Sequence, residues 1–188
     1  MGRKKKVILI TDGDSVAAKT LEVVADRVGG SCIAASWGNP TRISGEQAVE
    51  LIKKARREPV LVMVDDRGAA GKGKGESLLE YLVKHPEVEV LGTVAVASNS
   101  DTDNGVKVDM SIDQNCKKVD GPVDKDGLLE PPGYQYLEGD TVEILAKLAV
   151  PVIVGTGDTG KMQGKDSMYL GAEITTRAVQ EILSRSEK

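Results

Sequence analysis

Five aspartates stand just past short apolar runs. Asp12 and Asp14 follow 7–10 (VILI), Asp65 and Asp66 follow 60–64 (VLVMV), and Asp158 follows 152–154 (VIV) across a Gly-Thr-Gly step. Grouped carboxylates suit hard cations: Mg²⁺ takes one or two and keeps several waters, and Ca²⁺ takes more oxygens in a looser shell. Asp12, Asp14, Asp65 and Asp66 are therefore the candidate metal ligands, for Mg²⁺ or Ca²⁺. A Mg²⁺ ion held there would support phosphoryl transfer or nuclease-type chemistry. Aspartate also caps helices and forms turns at such positions. Capping, non-catalytic cation binding and catalysis all stay open at this point.

A second chemical signal is Gly155-Thr156-Gly157-Asp158-Thr159-Gly160-Lys161. A phosphate loop needs a Ser or Thr after the lysine, to hold Mg²⁺, and this chain has Met162. The N–H groups of a glycine-rich turn still cradle small anions. Gly155, Gly157, Asp158 and Lys161 are thus candidate ligand-binding residues. The single histidine, His85, precedes Pro86 and reads as a surface residue at a helix end. Cys32 and Cys116 have no metal-pair spacing and form no disulfide framework. No residue is assigned a catalytic role.

These residues need elements to position them. Runs of β-branched residues followed by Gly and Asp are the mark of buried strands that end in loops. Strands are expected at 7–11, 31–36, 59–64 and 88–97, with helices between them whose apolar residues repeat at helical spacing. Ser15 and Ser44 are expected helix caps, and Gly29-Gly30 a helix stop. The alternation implies a parallel sheet, whose strands all end on one edge. Asp12, Asp14, Asp65, Asp66 and Asp158 should then share that rim.

Beyond residue 98 the pattern breaks. Residues 106–112 alternate like a half-exposed strand, and Gln114-Asn115 suits a hairpin turn back to 117–119. An irregular excursion spans 99–139, a helix is expected over 140–149 and a strand over 151–154, and a last helix covers 174–183. The fold class is α/β: one domain over 1–188, a mainly parallel sheet with flanking helices in toprim-like or flavodoxin-like layers, plus a small antiparallel excursion.

Composition agrees. Of 188 residues, 40% are apolar, yet phenylalanine is absent and Trp37 is the single tryptophan, so the core must be aliphatic. The net charge of −4 argues against nucleic-acid partners. Residues 3–6 (RKKK) precede only four apolar residues, too few for a signal peptide, and no run approaches the ~20 residues of a membrane span. The basic start is a solvated tail or a weak membrane-surface contact.

The rim is similar in plan to toprim domains, which hold Mg²⁺ with acidic residues at two neighbouring strand ends. Asp12 stands where those domains carry a catalytic glutamate. The chain as a whole resembles the stage V sporulation protein AE family. The resemblance rests on 8–14 (ILITDGD), 59–66 (PVLVMVDD), 73–76 (GKGE), 91–99 (LGTVAVASN), 121–127 (GPVDKDG), 139–142 (GDTV) and 150–162 (VPVIVGTGDTGKM). It implies an accessory protein of the machinery that moves dipicolinic acid across the spore inner membrane, peripheral to that membrane. The implied partners are other proteins of the dipicolinate channel or of the germination apparatus. The excursion 99–139 and the Lys72–Lys74 loop are the expected docking surfaces.

Overall fold

A computed structural model describes residues 2–67, 73–99 and 105–186. Lys72 and part of the 99–139 excursion, both expected docking elements, lie outside these residues. The first strand, β1 (Lys5–Ile10), is buried over its last four residues. It leads into α1 (Ser15–Arg27), which buries Ala17, Thr20, Leu21, Val24 and Ala25 along one face. There follow β2 (Ser31–Cys32), α2 (Gly45–Lys54), β3 (Val60–Met63), α3 (Lys74–Lys84) and β4 (Val88–Val96). The second half adds β5 (Gly105–Val106), β6 (Met110–Ile112), β7 (Lys118–Val119), β8 (Leu137–Glu138), β9 (Ile153–Thr156) and α4 (Glu173–Ser186).

Among the described residues seven strands form one sheet in the order β2-β3-β1-β4-β9-β6-β7, and β5 and β8 pair separately. The pairs β1–β3, β1–β4, β2–β3, β4–β9 and β6–β9 are parallel, and β6–β7 is an antiparallel hairpin. Strand periodicity sends alternate side chains to opposite faces. Val7 and Leu9 join a cluster with Ala48 and Ile52 of α2 and Leu78, Leu79 and Leu82 of α3. Ile8 and Ile10 join another with Leu21 and Val24 of α1 and Ile174, Ala178 and Ile182 of α4. The molecule is a single α/β domain with three layers, and both cores are aliphatic. Among the described residues no helix is long and apolar enough to cross a membrane.

Several elements depart from expectation. The strand expected over 31–36 stops at Cys32, and Ala34–Ser36 turns into a 3₁₀ helix. The Ser36 hydroxyl accepts the Met63 N–H, in place of a ladder carbonyl, and itself donates to Ile33 O. The stretch 106–112 is two strands in different sheets. Asp109 divides them, its N–H bonding Ile153 O and its carboxylate accepting the Ile153 N–H. β6 is buried throughout because it lies beside β9. The expected helix over 140–149 is a 3₁₀ helix, Glu143–Lys147. Asp14 caps α1 where Ser15 was expected to, whereas Ser44 forms a full capping box with Gln47 on α2.

Candidate functional site

β1, β3, β4 and β9 run parallel, so the residues after them share one edge. The chain leaves β1 toward β2 and β3, and leaves β4 toward β9 and β6. Such a divergence opens a crevice at the carboxyl edge, where ligands bind in open α/β sheets. Thr11 fixes its wall: its N–H reaches Val94 O and its hydroxyl accepts the Val96 N–H at 2.9 Å.

Asp12, Asp14 and Asp158 converge beside it, with one carboxylate oxygen from each lying within 4.8 Å of the others. Asp12 is 7% exposed, and its buried Oδ2 has no hydrogen-bond partner among the described residues. Its Oδ1 accepts the Asp14 N–H, at 3.3 Å. Asp14 has two duties. Its Oδ1 accepts the Val16 and Ala17 N–H groups at 2.8 Å each, capping α1, while its Oδ2 accepts Lys161 Nζ at 2.5 Å. Lys161 Nζ also donates to both Asp158 oxygens at 3.0 Å. A single ammonium therefore holds the β9 loop against the start of α1.

The electrostatics follow from that arrangement. Burial, then the charges of Asp14 and Asp158, push Asp12 up from 3.8 to about 7, against the pull of the Asp14 N–H and Lys161. For Asp14 burial acts upward too, but Lys161 and the α1 N–H groups outweigh it and the carboxyl lies below its usual range. Lys161 is raised: burial disfavours its charge, and the hydrogen bonds it donates to Asp14 and Asp158 more than restore it.

Asp65 and Asp66 lie on the same edge but are engaged otherwise. The Asp65 carboxylate accepts the Arg67 N–H at 2.9 Å. Its backbone binds Thr41 through both N–H and carbonyl. Burial raises the Asp65 carboxyl, helped by Asp140 and Asp66. Asp66 accepts the Gly75 and Glu76 N–H groups at 2.6 and 2.7 Å, at the start of α3. Of the four expected metal ligands, two thus enter the carboxylate trio and two serve turn and helix-start roles. Asp158, expected among the anion-binding residues, completes the trio. Close packing explains Gly13, where a Cβ would lie 2.4 Å from Gly38 O and 2.7 Å from Asp65 Cβ.

The glycine-rich loop packs on the excursion. Gly155 is within β9, where a Cβ would meet Ser111 Oγ at 2.4 Å. At Gly157 a Cβ would meet the Gly127 nitrogen and the Lys125 oxygen at 2.6 and 2.7 Å. The Asp158 N–H donates to Lys125 O, and the Gly160 N–H to Asp166. Asp14 and Asp158 stand at its mouth, both paired with the Lys161 ammonium.

Asp166 escapes the sequence reading. It is fully buried, and it accepts the N–H groups of Gly160, Ile174 and Thr175 and the Thr175 hydroxyl. It therefore closes the loop and starts α4. An acidic residue seven positions before a helix carries no local capping signal, since caps lie immediately before the first turn.

The family model described as Stage V sporulation protein AE1 matches residues 6–186, nearly the whole chain, and the chain belongs to that family. Neither the curated proteins nor the solved structures contain a match.

Proposed function

We propose that this sporulation protein is an accessory subunit of the machinery that moves dipicolinic acid across the spore inner membrane. It acts in sporulation and germination through protein contacts, peripheral to the membrane, and not by turnover. Its partners are other proteins of the dipicolinate channel or of the germination apparatus. The family supports the sporulation role. The observation that carries the contact reading is the surface of the excursion. Leu128, Leu129, Tyr134 and Tyr136 are each 47–58% exposed. Tyr134 and Tyr136, with Asp124, Asp126, Glu130 and Glu138, line a cleft of about 280 Å³ beside the end of β4. Exposed tyrosines and carboxylates lining one cleft suit a partner segment that is apolar with basic flanks.

A second reading is a Mg²⁺-dependent phosphotransfer or nuclease-type enzyme. Its support is Asp12, a buried carboxylate with an unpartnered oxygen. The Lys161 ammonium on Asp14 and Asp158, and Asp12 in the place of a longer glutamate, favour the accessory reading.

Fractionation of spore membranes tests the proposal. A chain shortened over 121–135 should lose membrane-fraction association, and Lys72→Glu with Lys74→Glu should weaken it in a salt-sensitive way. Melting curves serve as the folding control. Unchanged association in both variants contradicts the contact reading, and Mg²⁺-dependent phosphate-ester turnover abolished by Asp12→Asn would establish the enzyme instead.

A further inference from the structure

We propose that Asp12, Asp14 and Asp158 form a site for one hard divalent cation, Ca²⁺ or Mg²⁺, with Lys161 as its built-in competitor. The inference rests on the geometry of the rim and is independent of the spore role. Three carboxylates against one ammonium leave two negative charges when all are ionised, the complement of a divalent ion. The facing oxygens lie within 4.8 Å of one another. Opposite ligands of Ca²⁺ stand about 4.6–5.2 Å apart, and those of Mg²⁺ about 4.0–4.2 Å, twice their metal–oxygen distances. Separations of up to 4.8 Å match the Ca²⁺ span, whereas Mg²⁺ requires the three carboxylates to draw closer; water fills the remaining positions.

The independent pointer to a ligand is Asp12. Its side chain is more than nine-tenths buried, and its Oδ2 accepts no hydrogen bond among the described residues. A buried carboxylate oxygen left unpartnered is costly, and proteins keep such groups where something else completes them. The Lys161 ammonium binds Asp14 and Asp158 but leaves that oxygen unmatched. A divalent ion bound by Asp12 through Oδ2 would satisfy that oxygen and compete with Lys161 for Asp14 and Asp158. Lysine brings one charge on a flexible stem, so it holds the site in its closed form and can be displaced.

The exchange would be felt beyond the site. Lys161 links the β9 loop to the α1 cap, and the Asp158 N–H links the same loop to Lys125 of the excursion. An ion on Asp158 thus acts one hydrogen bond away from the proposed contact surface.

The test is calorimetric titration of the full chain, stripped with chelator, with CaCl₂ and separately with MgCl₂. The wild type should bind at least one cation in the range of about 10⁻⁴–10⁻³ M, typical of weak oxygen-ligand sites. Lys161→Met, which removes the competitor, should bind about tenfold tighter or better. Asp158→Asn should weaken binding about tenfold, and this half-exposed residue can change without disturbing the core. Asp12→Asn should behave likewise, with circular dichroism confirming its fold. Absence of binding of both cations by wild type and by Lys161→Met, up to about 10 mM, overturns the proposal. So does loss of binding in Asp65→Asn with retention in Asp158→Asn, which would place the ion between β1 and β3.

Discussion

Asp12 is the residue on which the rim turns. Its folded-state pKa of about 7 lies above the ordinary 3.8, so the folded chain holds the proton more tightly than the unfolded chain. The stability this contributes is complete below about pH 4 and is lost as the pH rises through 7. Asp12→Asn has no charge to bury. In the presence of chelator it should match the wild type near pH 4 and exceed it at pH 8, by on the order of 3 kcal/mol. Denaturant melts at the two pH values check this. An equal difference at both would show that Asp12 does not titrate across the window. The acidic residues themselves were legible, because each follows a strand signal within a few positions. The partner of Asp14 was not, since Lys161 lies 147 residues away and only tertiary structure joins them. Asp65 and Asp66 lie outside the trio for a related reason: identical residue types at equivalent strand ends are divided between a carboxylate cluster and N–H acceptance by neighbours that sequence spacing does not reveal.

At the scale of elements, local signals fared according to how local their causes are. β1, β3, β4 and the four helices carry their own periodicity and were readable. The 31–36 segment has strand-like composition, but the Ser36 hydroxyl takes the Met63 N–H and ends the pairing. β6 reads as half-exposed because Asp109 and Asp113 flank it, yet pairing with β9 buries it. Asp166 shows how one side chain can hold together two elements, and its removal should expose the dependence. Asp166→Ala leaves the N–H groups of Gly160, Ile174 and Thr175 without their acceptor. Each such loss costs about 1–3 kcal/mol when buried, so urea unfolding should report a loss of about 3 kcal/mol or more. A loss under about 0.5 kcal/mol, the range of neutral surface changes, would mean that the loop closes by other means.

For the whole molecule, three layers bring β1, β4 and β9 together, so one edge carries both the carboxylate trio and the excursion packed on the β9 loop. The sheet was legible in outline. The insertion of β9 between β4 and β6 was not, because no local pattern states which strand a late segment joins. The placement matters, since it brings Asp158 and Lys161 to Asp14 and sets Gly157 against Lys125 and Gly127. The proposed accessory role works through that excursion. The rate of dipicolinate release from purified spores after addition of germinant tests that role most directly. Spores lacking the chain should release more slowly, the intact chain should restore the rate, and a chain shortened over 121–135 should fail to restore it. Release at the normal rate without the chain, or full restoration by the shortened one, would contradict the account.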